Sequence, residues 1–211
     1  MTENRDDQKT GFLDTVYGIE TQDDTRRLYR DWAETYDDEV LGAGYASPGR
    51  VAAAMANAVK DRTAPLLDLG CGTGLSGEAF RQAGFTTVDG TDFSEEMLES
   101  AKAKGVYRSL FKGDLSRPIP AEPGDYADIA AVGVFSPSHA PAEMIDQVMD
   151  LLPKGGCFGF TLNDHALDEK IYEERTELLV AQGTCEIAFK QYGDHLPERD
   201  LKSMVYVLRK L

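Results

Sequence analysis

The apolar positions of this chain change period along its length. From Asp23 to Asp38, Leu28, Trp32, Ala33 and Tyr36 recur at helical spacing and predict one helix. A second helix is predicted from Pro48 to Lys60, with the proline in the first turn, where its missing N–H costs nothing, and an alanine-rich face. Beyond residue 63 the period alternates. Short apolar runs near 66, 86, 108, 129 and 158 predict strands, the second of them Phe85 to Thr91. Amphipathic stretches near 75, 95, 142 and 170 predict helices. Strand and helix in alternation predict a parallel sheet covered on both faces. Between Gly113 and Tyr126, three prolines (Pro118, Pro120, Pro123) and Gly124 leave room for one helical turn at most. Thr184–Gln191 and Ser203–Arg209 are β-rich, and the polar GDHLPERDLK between them predicts the loop of an antiparallel hairpin. The expectation is a doubly wound α/β fold: a seven-stranded, mostly parallel sheet with a C-terminal antiparallel hairpin. Residues 1–20 form an arm, 21–62 N-terminal helices and 63–211 the core of a single domain.

Composition narrows the function classes. With 211 residues and 42% hydrophobic content the chain can bury one sizeable core. A formal charge of −15 opposes binding to phosphate backbones. The densest basic group, Lys102, Lys104, Arg108 and Lys112, is spread over a helix end and a strand and reads as solvated. Nucleic acid is therefore not expected as a partner. Three cysteines without a C-x-x-C pair give neither a metal site nor a disulfide framework, so Cys71, Cys157 and Cys185 read as buried thiols of a reducing compartment. The N-terminal MTENRDDQKTG has no apolar stretch of the signal-peptide kind, and no run approaches a membrane span. A cytoplasmic chain is expected.

The chemistry concentrates in LLDLGCGTG, Leu66 to Gly74. A strand feeds glycines at alternate positions, Gly70, Gly72 and Gly74, ahead of a helix. Residues without Cβ tolerate positive φ and let backbone N–H groups and a helix N-terminus approach a nucleoside-like ligand. The spacing is not the G-x-G-x-x-G of dinucleotide loops, and Asp68 ahead of it would repel a diphosphate while accepting hydrogen bonds from an ammonium group. A nicotinamide-dependent oxidoreductase is thereby disfavoured. One strand later comes Asp92, suited to the two hydroxyls of a ribose, with Asp89 as a mid-strand competitor. Phe93, Ser94 and Met97 follow in DFSEEML; Ser94 is a candidate N-cap and Met97 is placed to lie against an adenine. A third acidic position, Asp114, sits in KGDL. Taken singly, Asp92 would read as a strand-ending carboxylate and Asp114 as a turn residue; their order and separation point to one ligand.

These segments resemble the class I S-adenosylmethionine-dependent methyltransferases. LDLGCGTG is similar to that family's (E/D)-x-G-x-G-x-G motif, DFSEEML to its D-x-S-x-x-M-L, and KGDL to its loop after the third strand, whose acidic side chain bonds the adenine amine. YRDWAETYD resembles a Y-x-x-W-A-x-x-Y-D segment that packs over the cofactor in small-molecule methyltransferases. More loosely, YGIET and VGVFSPSHAP are similar to the group related to the Williams-Beuren region methyltransferase. The resemblance covers Thr21 to Leu211. It implies a Rossmann-like core beneath N-terminal lid helices, S-adenosyl-L-methionine as cofactor and S-adenosyl-L-homocysteine as product. It also implies a cofactor site of Tyr29, Tyr36, Asp68, Gly70, Cys71, Gly72, Gly74, Asp92, Phe93, Met97, Asp114 and Leu115.

Methyl transfer from a sulfonium needs in-line positioning, exclusion of water and, for some nucleophiles, one base. His139, beyond the fourth predicted strand, is the candidate base, with a backbone-bonding helix-entry residue as the alternative. His165 and His195 rank behind it, His195 being placed in the hairpin loop. The resemblance implies a lid over the cofactor from Tyr29, Trp32 and Tyr36, against an ordinary amphipathic helix packed on the sheet, the reading taken for Trp32. A lid with Tyr45 on the substrate side suits a small-molecule acceptor. A monomer or homodimer is expected. A catalytically silent S-adenosylmethionine-binding module is the competing reading, which a product assay separates.

Overall fold

The computed structural model describes Asp24, Arg27, Leu28, residues 32–136 and residues 139–211. Helices α1 (Tyr36–Gly42) and α2 (Ser47–Ala58) precede the alternating core: β1 (Leu66–Leu69), α3 (Leu75–Gln82), β2 (Val88–Asp92), α4 (Glu95–Lys104), β3 (Ser109–Lys112), β4 (Asp128–Ala131), α5 (Met144–Leu151) and β5 (Cys157–Asn163). Then follow α6 (Asp164–Asp168), α7 (Ile171–Ala181), β6 (Cys185–Leu196), a 3-10 turn at Pro197–Arg199, and β7 (Leu201–Lys210). The seven strands form one sheet in the order β3-β2-β1-β4-β5-β7-β6. Strands β1 to β5 run parallel, and β7 inserts antiparallel between β5 and β6.

Helices cover both faces, which is why β1, β2 and β4 are buried at every position rather than at alternate ones. One face packs Val51 and Met55 of α2 and Phe80 of α3 on the sheet. The other packs Ile145 and Val148 of α5 and Tyr172 and Leu179 of α7. Gly159 in β5 sets how closely α2 lies, since a Cβ there would stand 2.6 Å from Met55. Helix α4 carries its boundaries in its sequence. Ser94 Oγ accepts from the Met97 N–H at 3.2 Å, acidic residues fill the first turn and lysines the last, and Gly105 ends it in the left-handed conformation.

Three expectations are corrected. The single helix over Asp23–Asp38 is broken: Trp32 is helical, Ala33–Thr35 turn, and α1 starts at Tyr36. The break lets Trp32 bury at 1% exposure while α1 turns Asp37 toward the glycine loop, where it accepts from Thr73 Oγ1 and from Lys104 Nζ. Lys104 is accordingly not a solvated charge; it bridges Asp37 at 2.6 Å and Glu78 at 3.1 Å. The hairpin is longer than its sequence suggested, with β6 running to Leu196 and β7 starting at Leu201. His195 therefore lies in a strand, not a loop. Tertiary contacts with Ala46 and Ser47 stabilise polar strand ends that local propensity assigns to a turn.

Candidate active site

The loop after β1 adopts the conformations its glycines were expected to supply: φ is +65° at Gly70, +53° at Gly72 and +96° at Gly74. The two central requirements differ. A Cβ on Gly70 would meet Val134 at 2.4 Å and Leu115 at 3.3 Å, so Gly70 is needed for packing against the ends of β3 and β4. A Cβ on Gly72 would meet nothing within 4 Å, so Gly72 faces open space. Cys71 turns its thiol onto β2, 2.9 Å from where a Gly90 Cβ would stand, and donates it to the loop's Gly72 O at 3.9 Å, while its N–H donates to Thr91 O at 3.0 Å.

Two carboxylates back this loop. Asp68 is fully buried; its Oδ2 accepts from Ser76 Oγ at 2.6 Å and from the Tyr107 hydroxyl at 2.7 Å, while its Oδ1 is buried without a hydrogen-bond partner among the described residues. Burial pushes the Asp68 carboxyl up to about 7, with the neighbouring Asp92 charge adding to it and the two hydroxyl donors opposing. Asp92, the last residue of β2, accepts from the Gly72 N–H and from the Ser94 N–H, each at 2.9 Å. It ties the loop to the strand end, and burial raises it to about 6. Asp89 faces away toward Arg108 and the Tyr126 hydroxyl, 3.0 Å off, which removes it from the ribose position.

Phe93, Ser94, Lys112, Asp114 and Pro118 line a cavity of about 790 Å³ beyond the carboxyl ends of β2 and β3. Asp114 there accepts from Ser116 N–H at 3.0 Å and Ser116 Oγ at 2.6 Å. Leu115 packs on Gly70, and Met97 is buried at 1% exposure. Tyr36 packs edge-on against Trp32 with ring centroids 4.6 Å apart. Tyr29 lies outside the described residues. His139 holds Ser136 Oγ at 2.6 Å through Nδ1, and burial pushes it down to about 4, so the ring is neutral at physiological pH. His165 is exposed on α6.

Sequence reasoning missed Ser76, Tyr107, Asp37 and Lys104. Ser76 follows the motif by two residues and could have been suspected. Tyr107, whose hydroxyl accepts from Gly77 N–H at 3.0 Å while donating to Asp68, carries no local signal, because β3 alone brings it under the loop.

A sheet of this order, with a glycine loop after β1 backed by carboxylates at the ends of β1 and β2, is the architecture of the class I S-adenosylmethionine-dependent methyltransferases. Residues 66–156 match the family described as a methyltransferase domain, and this match supports a class I S-adenosylmethionine-dependent methyltransferase. The chain is 31% identical to methyltransferase-like protein 27 of Homo sapiens over 143 residues, covering 66% of this chain and 58% of that protein. It is 36% identical to trans-aconitate 2-methyltransferase of Rhizobium rhizogenes over 100 residues, 47% of this chain and 38% of that one. The chain thus spans between about two fifths and three fifths of these relatives' length. Further relatives are named for malonyl-[acyl-carrier protein] and for guanine in 18S rRNA. Among solved structures, the Haloferax volcanii methyltransferase in complex with the Trm112 activator superposes with a TM-score of 0.65 at 16% identity, over 86% of this chain and 97% of that one.

Family and fold imply S-adenosylmethionine as the cofactor. The residues present fit it: the open space at Gly72 admits a ligand, and the unpartnered Asp68 Oδ1 calls for a donor. No helix among the described residues is long and apolar enough to cross a membrane, and no group of three metal-ligating side chains occurs among them.

Proposed function

We propose that the protein transfers a methyl group from S-adenosylmethionine to a nucleophile on a small-molecule acceptor. The observation that carries this reading is the loop itself: an open Gly72 flanked by two buried carboxylates, one of them with an oxygen lacking a donor. Asp68 would receive the cofactor's ammonium end and Asp92 its ribose, while Phe93, Met97, Asp114 and Leu115 would flank its adenine. Tyr29 and Tyr36 would close over it from the lid. When bound, the cofactor supplies an activated methyl group on sulfur. The chain's own work is then to position, to exclude water and to manage one proton. Asp37 fastens α1 to the glycine loop through Thr73 and to α4 through Lys104, which holds the lid over the carboxyl ends of the strands. His139, neutral and oriented by Ser136, serves as base for the acceptor's proton.

A small acceptor is supported by this lid and by the formal charge of −15, which disfavours polyanions. Residues 21–62 act as the lid and 63–211 as the catalytic core of one domain. Three free thiols suit a cytoplasmic setting. Titration calorimetry with S-adenosylmethionine, S-adenosylhomocysteine and NADH tests the reading. Binding of the two adenosyl compounds alone is expected, followed by S-adenosylhomocysteine release with one member of an acceptor panel. Binding of NADH, or of none of the three, would overturn it.

A further inference from the structure

The β6–β7 hairpin overhangs the ligand edge of the sheet. Asn163, the last residue of β5, pairs with Ser203, so residues 194–202 extend past the carboxyl end of β5. The register slips between Asp194↔Lys202 and Leu196↔Leu201, which makes His195 the bulged residue. A bulge re-aims a side chain: His195 is turned inward to 5% exposure next to the buried Leu196, whereas most of the strand before it is exposed. The lid meets it there. The Ala46 N–H donates to His195 O at 2.9 Å, and the Tyr45 ring stands edge-on to the imidazole at 5.3 Å. At its other end the Tyr45 hydroxyl lies 2.6 Å from the place a Cβ on Gly133 would take, just past β4. Tyr45 and His195 therefore bridge the carboxyl ends of β4 and β5, the region an acceptor must occupy.

The hydrogens around His195 are ordered from behind. Arg50 Nη1, a donor only, bonds Ser203 Oγ at 3.0 Å; Ser203 Oγ is 3.1 Å from Ser47 Oγ, and Ser47 Oγ is 2.7 Å from His195 Nδ1. Every hydrogen along this line has a partner when Ser203 donates to Ser47 and Ser47 donates to Nδ1. Nδ1 then accepts, and Nε2 carries the ring hydrogen, for which the described residues provide no hydrogen-bond partner. Arg50 is held in place by further bonds to Asp194 O at 2.8 Å and Gln191 O at 2.9 Å. The charged and titratable groups facing the ring are Arg50, Asp164 and His165. Burial, Arg50 and His165 disfavour its protonation and Asp164 opposes them, holding it near 4 and neutral.

We infer that His195 orients the methyl acceptor by donating its Nε2–H to a carboxylate or carbonyl oxygen of that molecule, with the fixed Arg50 charge behind it favouring the carboxylate. This rests on the methyltransferase reading and names the acceptor class for the same site. His195 is here a positioning group for the acceptor and takes no proton from it.

The test uses the full chain with ¹⁵N-labelled histidines, loaded with S-adenosylhomocysteine. Long-range ¹H–¹⁵N spectra, assigned with His195→Gln, are expected to show the Nε2–H tautomer. The Nε2 signal should move when succinate, fumarate or citrate is added and stay still with putrescine. In the acceptor screen, His195→Gln, which keeps a donor near Nε2, should stay within about three-fold of the parent in KM for the active acid. His195→Phe should raise that KM ten-fold or more with S-adenosylhomocysteine affinity unchanged. An Nδ1–H tautomer, an Nε2 signal unmoved by every carboxylate, or His195→Phe with an unchanged KM overturns the inference while leaving the methyltransferase reading standing. Failure of S-adenosylhomocysteine to bind overturns both.

Discussion

Replacing Asp68 by Asn should make the ligand-free protein more stable at pH 8 and less able to bind its cofactor. Asp68 is fully buried, and its carboxyl titrates near 7 in the folded protein against 3.8 for an ordinary aspartate. Between those values the native state holds a proton that the unfolded chain has released. Native stability therefore falls as pH rises through this window and levels off above 7. At 1.36 kcal/mol per pKa unit the full effect is about 4 kcal/mol. An Asn side chain keeps an oxygen for the Ser76 and Tyr107 donors and has no charge to bury. Other groups shape the parent curve. Asp92 and Asp128, both raised to about 6, act in the same sense as Asp68, whereas His139 and His195, lowered to about 4, contribute stability that grows as pH rises from 4 to 6.5. The difference between parent and variant isolates Asp68. Thermal unfolding by circular dichroism from pH 4 to 8 should show Asp68→Asn gaining on the parent by about 2–4 kcal/mol between the ends. That is about 4–16 °C in Tm for a chain of this size. Affinity for S-adenosylmethionine should drop about ten-fold or more, the cost of one charge-assisted hydrogen bond. A variant whose pH dependence parallels the parent's would refute the assignment of a buried, proton-holding carboxyl at this position.

Three further outcomes follow from the loop and the sheet edge. Gly72→Ala should keep the fold, losing only about 1–2 kcal/mol for its left-handed φ, yet abolish S-adenosylhomocysteine binding. Gly70→Ala, whose Cβ would strike Val134, should instead lower the melting temperature sharply; the reverse ranking in calorimetry and melting would show the wrong glycine facing the ligand. Asp92→Ala should weaken cofactor binding by about 1–3 kcal/mol, and an unchanged affinity would remove it from the ribose role. His139→Ala should lower turnover with cofactor affinity nearly kept; equal turnover would make His139 a structural residue bonded to Ser136.

Most of the fold was legible because its signals are local. Alternating strand and helix periods, the N-cap at Ser94 and the proline-rich connection after Gly113 are each decided by neighbours in sequence. So was the core of the site. Gly70, Gly72 and Gly74 need positive φ, and only residues adjacent in the chain can build that turn. The errors fell where distant residues decide. The break at Ala33–Thr35 follows from the pull of Thr73 and Lys104 on Asp37, and the extension of β6 through His195 from Ala46 and Ser47 packing on strand ends that look like loop.

The sequence by itself determined the doubly wound sheet, the glycine loop and the acidic residues that attend it. The tertiary structure alone decided their state. Burial raises the Asp68 carboxyl to about 7 against the opposing Ser76 and Tyr107 donors, and Asp92 holds the Gly72 N–H with one oxygen and the Ser94 N–H with the other. His195 became a directed donor because a bulge and a line of hydroxyls from α2 and β7 meet behind it. Backbone conformation is written in short stretches of chain, whereas desolvation and hydrogen-bond direction depend on residues that meet only after folding.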